Sequence, residues 1–440
     1  MLKLQDLLRE HGGIVVLLVM GAILSLITIE EQHPTGASAG RALALELLAA
    51  NPSPSVFVAA DDTPSSAEFL EAVCAEVEAG GGAIVGRVLG DPRSVREALE
   101  ATLDSPPDAL LTLRTSDAYG LLERAPAKFP ELEGSRVLAP EPYRWSTFLT
   151  RNNLLNVAEK IAVWAVLGIG MTLVILTAGI DLSVGSLVAL SAVVSSLLIE
   201  QFLGGRDAGA LQVVLACLAG VAASGLVGLL SGIFVTRFSV APFIVTLGMM
   251  MAASGLALRL SGGESIDAVP DSFAWLGHGD VLGVPNAILV MLVLYGAAHV
   301  LMAHTPLGRA IYAVGGNPEA ARLSGIPVGR VLIFVYVLSG LLAGVGGIIT
   351  ASTFESGDPN YGMMYELYVI AAVVVGGTSL AGGEGKVGGT LVGALMLGVI
   401  YNGMNLTNVG SFSQKIVLGA VILAAVVLDQ WKRRRSERRA

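Results

Sequence analysis

Apolar residues in this chain gather into runs longer than a soluble core helix needs. They recur near 154–178, 184–203, 211–235, 240–260, 285–303, 331–351, 366–378, 388–404 and 413–429. A helix of about 20 apolar residues crosses a hydrocarbon layer roughly 30 Å thick, so these runs predict nine membrane spans. The ends of 366–378 and 388–404 are blurred by glycine and short length. A further run, 13–29, follows Lys3 and Arg9 and lacks a small-residue cleavage site before Glu30, so it reads as a retained first span.

The pattern changes between the first two spans. A helix is predicted near 37–50, a strand at Val56-Phe57-Val58, and a helix near 65–79. A strand at Ala83 to Val88 and a helix at 92–103 follow, the helix with Asp91 as N-cap and Pro92 in its first turn. Strands at Ala109 to Leu113 and Arg136 to Leu138 complete the series. Strands alternating with helices of about 10 to 15 residues predict βαβ units and a parallel sheet. The expected fold is therefore a polytopic α-helical membrane protein of ten transmembrane helices, with an α/β extracytoplasmic domain inserted between helices 1 and 2. Its divisions are a cytoplasmic N-terminus 1–12, a first helix 13–30, the inserted domain 31–147, a nine-helix transmembrane region 148–430 and a basic cytoplasmic tail 431–440.

Composition agrees with the pattern. The 440 residues are 53% hydrophobic and 14% charged, against about 25% charge in soluble domains, and the mean hydropathy is +0.70. Acidic side chains outnumber basic ones two to one across 31–150, a stretch whose net charge accounts for the whole chain's formal −9. Small-xxx-small pairs such as Gly228/Gly232, Gly340/Gly344 and Gly389/Gly393 suit close helix packing in lipid. Cys74 and Cys217 give neither a disulfide framework nor a metal site. His11, His33, His278, His299 and His304 are isolated in sequence, and no H-E-x-x-H pair or Gly-x-Ser-x-Gly elbow occurs in the membrane part. We therefore expect no catalytic residue, metal or cofactor. A membrane-anchored sensor would need only one span.

Orientation follows from basic residues in short loops. Arg309, Arg322 and Arg330 in 304–330, together with Arg237, Lys386 and the tail Lys432 to Arg435 with Arg438 and Arg439, predict one cytoplasmic face. The loops 204–210, 261–284, 352–365 and 405–412 hold a single basic residue, Arg206. Ten spans then place both termini in the cytoplasm and the 31–147 block outside.

Three segments depart from plain apolar helix. In Thr177-Ala178-Gly179-Ile180-Asp181-Leu182-Ser183-Val184-Gly185-Ser186 an acid interrupts two apolar runs. Two compatible readings stay open for Asp181: an N-cap of the following helix with Ser183 as neighbour, or a pathway or gating group, because ionisable residues at membrane depth are costly and usually functional. Asp181, Ser183, Asn402 and Asn405, all polar at the ends of apolar runs, are the candidate pathway residues. The second segment, Thr305 to Ile326, contains Asn317 as a cap, Pro318 as first helical residue and Gly325 as a stop, which predicts a short helix suited to docking in a partner's groove. The third, Val375 to Gly388, has a nominal G-x-G-x-x-G at Gly383, Gly385 and Gly388. It lacks a surrounding βαβ unit, and Leu380 and Val387 spoil a phosphate loop. Any ATP hydrolysis must therefore come from another polypeptide.

In order along the chain, Phe148-Leu149-Thr150-Arg151-Asn152-Asn153-Leu154-Leu155-Asn156, Gly170-Met171-Thr172, the Gly-Ile-Asp-Leu-Ser-Val-Gly segment and Asn317 to Gly325 resemble the permease family of ribose-type ABC importers for monosaccharides. The resemblance covers about 148 to the C-terminus. It implies a bacterial inner-membrane permease working with a cytoplasmic ABC ATPase, an extracytoplasmic solute-binding protein and a second permease subunit, the same or different, in lipid and without nucleic acid. It also assigns ATPase coupling to Gly315, Gly316, Asn317, Glu319, Ala320, Ala321, Ser324 and Gly325. The 31–147 block is the departure, since the family passes this point through a short loop. Its alternation loosely resembles one lobe of a sugar-binding periplasmic protein, for which receptor docking, a mouth cap and a structural insertion are open roles.

Overall fold

The computed structural model describes residues 2–437, with residues 2–11, 425 and 428–437 described by backbone alone. The side chains of Lys3, Arg9 and the basic tail therefore lie outside the described set. The chain divides into two compact units, Met1–Thr28 with Phe148–Ala440, and Ile29–Thr147.

The first helix, α1 (Leu2–Ile27), begins before the predicted span and ends three residues short of its expected limit at 30. Thr28 closes it by donating its hydroxyl to the Leu24 carbonyl, and Glu30 already belongs to β1 (Ile29–Gln32). The smaller unit continues through α2 (Gly36–Ala50), β2 (Ser55–Ala60), α3 (Pro64–Ala79), β3 (Ala83–Leu89), α4 (Pro92–Glu100), β4 (Ala109–Leu111), α5 (Tyr119–Lys128), β5 (Arg136–Leu138) and β6 (Tyr143–Ser146). Helix α4 stops at Glu100 rather than 103, and β4 at Leu111 rather than 113. Helix α5 is an addition to the predicted elements: Pro126 lies inside it, and a proline normally marks a helix break.

Four strands form a parallel sheet in the order β3-β2-β4-β5. The period of two along β2 sends Val56, Val58 and Ala60 to one face, where Leu43, Leu47, Phe69, Val73 and Val77 of α2 and α3 cover them. Phe57 and Ala59 point to the other face, against Val95 and Leu99 of α4 and Leu122 and Ala125 of α5. Burying each such large side chain contributes about 1.5 to 3 kcal/mol. Where the chain enters and leaves the unit, β1 and β6 pair antiparallel with Gln32 opposite Tyr143.

Open parallel sheets bind ligands beyond the carboxyl ends of their strands where the winding reverses, here between β2 and β4. That position is stitched shut: Ser116 Oγ and Asp117 N donate to Asp61 Oδ1 at 2.8 and 3.1 Å. At the opposite strand ends, Asp108 Oδ2 accepts from Ser55 N and Oγ at 2.7 and 2.8 Å. These bonds hold the Asp108 carboxyl below its ordinary range. A depressed carboxylate pKa stabilises the fold above its unfolded value, and the contribution is lost as pH falls through the folded one. Amide-exchange protection around Ser55 in the full chain should therefore hold down to about pH 4 and decline below it. An Asp108→Ala chain should lack that step, and an identical profile in both would refute the assignment.

The larger unit resumes with α6 (Arg151–Leu176), α7 (Val184–Phe202), α8 (Ala210–Arg237) and α9 (Pro242–Ser261). A small cap follows, comprising α10 (Trp275–His278), β7 (Asp280–Val281) and β8 (Val284–Pro285). Then come α11 (Asn286–His304), α12 (Pro306–Gly316), α13 (Pro318–Leu323), α14 (Val328–Phe354), α15 (Tyr365–Val375), α16 (Val387–Leu406) and α17 (Ser411–Glu437). Among the described residues seven helices are long and apolar enough to cross a membrane: α6, α7, α8, α9, α11, α14 and α16. The other three expected spans fall on the shorter apolar stretches Gly12–Ile27, Tyr365–Val375 and Ser411–Ala424. The expected connecting loop 304–330 carries an additional helix, α12.

Helices α8 and α14 pack at backbone contact. A Cβ on Gly228 would strike the Tyr336 carbonyl, and one on Gly340 would lie 2.5 Å from that of Ser224. The small-xxx-small pattern is thus spent on close approach. Helix α6 is the hub of the core, buried almost continuously from Ile161 to Leu176.

Candidate functional site

Helix α6 ends in a tight reversal. Gly179 N bonds to the Val174 carbonyl at 3.0 Å, Ala178 takes a left-handed φ of 59°, and the chain turns back toward α14. Asp181 Oδ1 then accepts from Ser183 N and Oγ at 3.0 and 2.6 Å, while Oδ2 accepts from Ser339 Oγ at 2.9 Å. Ser183, not Asp181, holds the N-cap position of α7 and makes no side-chain cap bond. The N-cap reading of Asp181 is therefore corrected: local spacing suggested a cap, and the carboxylate instead fastens the reversal to a distant helix. Asp181 is 1% exposed and Ser183 0%. Ser339 stands 11 residues into α14, about 17 Å along a helix of about 40 Å, so the cluster lies near the middle of the bundle.

The other two candidates lie elsewhere. Asn402 and Asn153 exchange amide hydrogen bonds at 2.8 and 3.1 Å, tying α16 to the beginning of α6. Asn405 Oδ1 accepts from Gln414 Nε2 of α17 at 2.9 Å. Asn153 and Leu176 are separated by most of α6, about 35 Å at 1.5 Å per residue. The four candidates thus form two clusters at different depths, and all four side chains are already bonded within the protein.

The three distinctive sequence segments do come together. Asn317 Oδ1 accepts from Glu319 N and Ala320 N at 3.0 and 2.9 Å, Pro318 opens α13, and Arg322 pairs with Glu319 at 2.7 Å. Gly325, at φ 85°, and the Ile326 N to Ala321 O bond end the helix. Apart from Ala321, α13 is exposed to solvent, with Leu323 81% exposed. Beneath it, Gly383 N bonds the Leu176 carbonyl at 2.9 Å and Tyr312 Oη donates to the Gly385 carbonyl at 2.8 Å. Gly315 is wedged against Leu176 O and Gly383 N, with no room for a side chain. The glycine-rich loop is thus a packing surface for α12. A continuous path of contacts runs from exposed α13 through α12 to the C-terminus of α6, five residues before Asp181.

A profile of the family described as branched-chain amino acid transport system / permease component matches residues 153–426. The ribose import permease protein of Escherichia coli strain K12 is 46% identical over 289 residues, 65% of this chain and 88% of that protein. The ribose import permease protein of Bacillus subtilis strain 168 is 42% identical over 288 residues, 65% and 87% of the two chains. The L-arabinose ABC transporter permease protein of Azospirillum brasilense is 39% identical over 293 residues, 67% and 84% of the two chains. No solved structure matches the chain.

Proposed function

The chain belongs to the family of branched-chain amino acid transport system permease components, among the ribose-type permeases of ABC importers, and from that premise we propose that it lines half of the path by which a monosaccharide or similar small polar solute is imported. It is a multi-pass protein of the inner membrane and a transport subunit rather than an enzyme. Permeases of this family act with an ATPase and a solute-binding protein.

In our reading ten helices enter the bilayer: α1, α6 to α9, α11 and α14 to α17. The end bearing Arg237, Arg309, Arg322, Arg330 and Lys386 faces the cytoplasm with both termini, and residues 29–147 lie outside. A second copy of the chain completes the path, with the remaining apolar faces in lipid. The observation that carries the energy-coupling assignment is α13, an exposed capped helix seated on the segment that leads to Asp181. Glu319, Ala320, Ser324 and Gly325 are exposed where a groove of the ATPase would receive them, and Gly315, Asn317 and Ala321 hold that surface in shape. Asp181 and Ser183 act on the pathway by fixing the start of α7, and Asn402 and Asn405 by fixing α16. The direct test is ATP-driven uptake of labelled D-ribose by the chain reconstituted with its ATPase and binding protein, and failure to move D-ribose or any other monosaccharide would refute the reading.

The 29–147 unit we read as a docking surface for the binding protein. Its ligand-binding position between β2 and β4 is closed by Asp61, which argues against independent capture. Because Gln32 and Tyr143 face each other across an antiparallel pair, residues 33–142 can be replaced by an Asn-Gly turn. Uptake that depends on the binding protein should fall at least tenfold while membrane insertion persists. Unchanged uptake would leave a structural insertion.

A further inference from the structure

Helix α15 has 11 residues, about 17 Å and little more than half a bilayer core. The chain approaches it as irregular backbone, with Glu355, Gly362 and Met364 at φ 51°, 73° and 69°. Non-helical backbone at membrane depth persists where it is buried in protein or lines a water-filled cavity. Here it does both. Gly362 abuts the Gly185 carbonyl in the first turn of α7, so neither glycine has room for a Cβ. One turn further on, Gly347 of α14 meets the Val188 carbonyl. The meeting of the α7 and α15 beginnings therefore lies between the levels of Ser339 and Gly347, in the central part of α14.

A cavity of about 450 Å³ opens beside this junction, between the start of α7, the second half of α9 and residues 359–366. Its polar lining includes Ser186, Ser254, Asn360 and Glu366, and methionine side chains supply apolar faces. Its volume falls in the range of small-molecule sites, roughly 300 to 1,000 Å³. Glu366 Oε2 packs on Gly185, and among the described residues no other side chain pairs with its carboxylate. A carboxyl group at this depth is costly unless water or a polar solute serves it. No lysine or arginine lines the cavity, so an anionic solute finds no counter-charge there.

We propose that this cavity is the solute station of the translocation path, where a neutral polyhydroxylated solute donates hydroxyl hydrogen bonds to Glu366 and exchanges others with Ser186, Ser254 and Asn360. The methionines pack against its C–H face. The proposal rests on the permease reading and adds to it the place and groups of contact. Asp181, although the more conspicuous acid in the sequence, is excluded from contact because its oxygens are taken and it does not line the cavity.

The experiment uses the full chain with its ATPase and binding protein in proteoliposomes and labelled D-ribose as probe. Gly255 on α9 lines the cavity with open space before it, and Gly296 on α11 has equally open space away from it. Gly255→Trp should cut uptake at least tenfold while Gly296→Trp stays within twofold of the parent chain. Glu366→Ala should lose at least tenfold, and Glu366→Gln, which keeps an acceptor oxygen, should lose less. ATP hydrolysis stimulated by the binding protein should persist in each. Uptake within twofold of the parent in both Gly255→Trp and Glu366→Ala overturns the cavity assignment while leaving the permease reading intact. Loss of ATP hydrolysis together with uptake overturns it as well, because it would place Glu366 in folding or coupling. A parent complex that moves no monosaccharide overturns both.

Discussion

A Gly315→Ala chain is expected to lose at least tenfold of its ATP-driven uptake and to melt several degrees below the parent in detergent. The added Cβ would sit inside the contact distance of the Leu176 carbonyl and 2.7 Å from the Gly383 amide nitrogen. Both neighbours are backbone, and they are bonded to each other at 2.9 Å, so neither can swing aside as a side chain would. Relief requires α12 to withdraw from the end of α6, and forced overpacking of this kind costs about 1 to 3 kcal/mol. Withdrawal would also move α13, the exposed helix assigned to the ATPase, and ATP hydrolysis and uptake should separate as a result. Gly388→Ala is the matched control, since a Cβ there meets nothing within 4 Å. If the two alanine chains behave alike, the wedge at Gly315 has no role in coupling.

The second large effect belongs to Asp181. In Asp181→Ala the amide of Ser183 and the hydroxyls of Ser183 and Ser339 lose their acceptor in a site only 1% exposed. Each buried donor left unpaired costs about 1 to 3 kcal/mol. Hydroxyls can turn to other acceptors and the amide cannot, so a net loss of about 1 to 3 kcal/mol is expected, seen as a drop in intact chain recovered from membranes. Asp181→Asn keeps the shape and one acceptor oxygen, and Ser339 can reverse its role and accept from the amide. That chain should recover near the parent level and transport. A stable Asp181→Asn chain without transport would instead mean that the charge itself acts on the pathway, and an Asp181→Ala chain as stable as the parent would dissolve the argument for a fastening role.

Features fixed by neighbours in sequence were legible. Asn317 followed by Pro318 specifies a capped helix start because the capping bonds span only two or three residues, and α13 begins there. The runs Val56 to Val58 and Ala83 to Val88 lie within β2 and β3, since strand alternation is a local pattern. Asp181 stood out as an acid between apolar runs, but its partner Ser339 is 158 residues away, and local spacing suggested a cap instead. Glu366 was passed over because it opens a run of apolar residues. The available signal was the shortness of that run together with Gly362 just before it, which marks a helix that starts inside the bundle.

By itself, the sequence determined that the chain enters a membrane many times, that an acidic α/β block interrupts it, and that any ATP hydrolysis must come from another polypeptide. Transfer free energy and strand or helix periodicity are sums over consecutive residues, so they can be read in order. Tertiary structure alone decided that Asp181 is sealed and Glu366 faces a cavity, that Asn402 bonds Asn153 and Asn405 bonds Gln414, and that three separated segments meet beneath α13. Those outcomes depend on which backbone approaches which at glycines such as Gly185, Gly315 and Gly362, and such approaches join residues far apart along the chain.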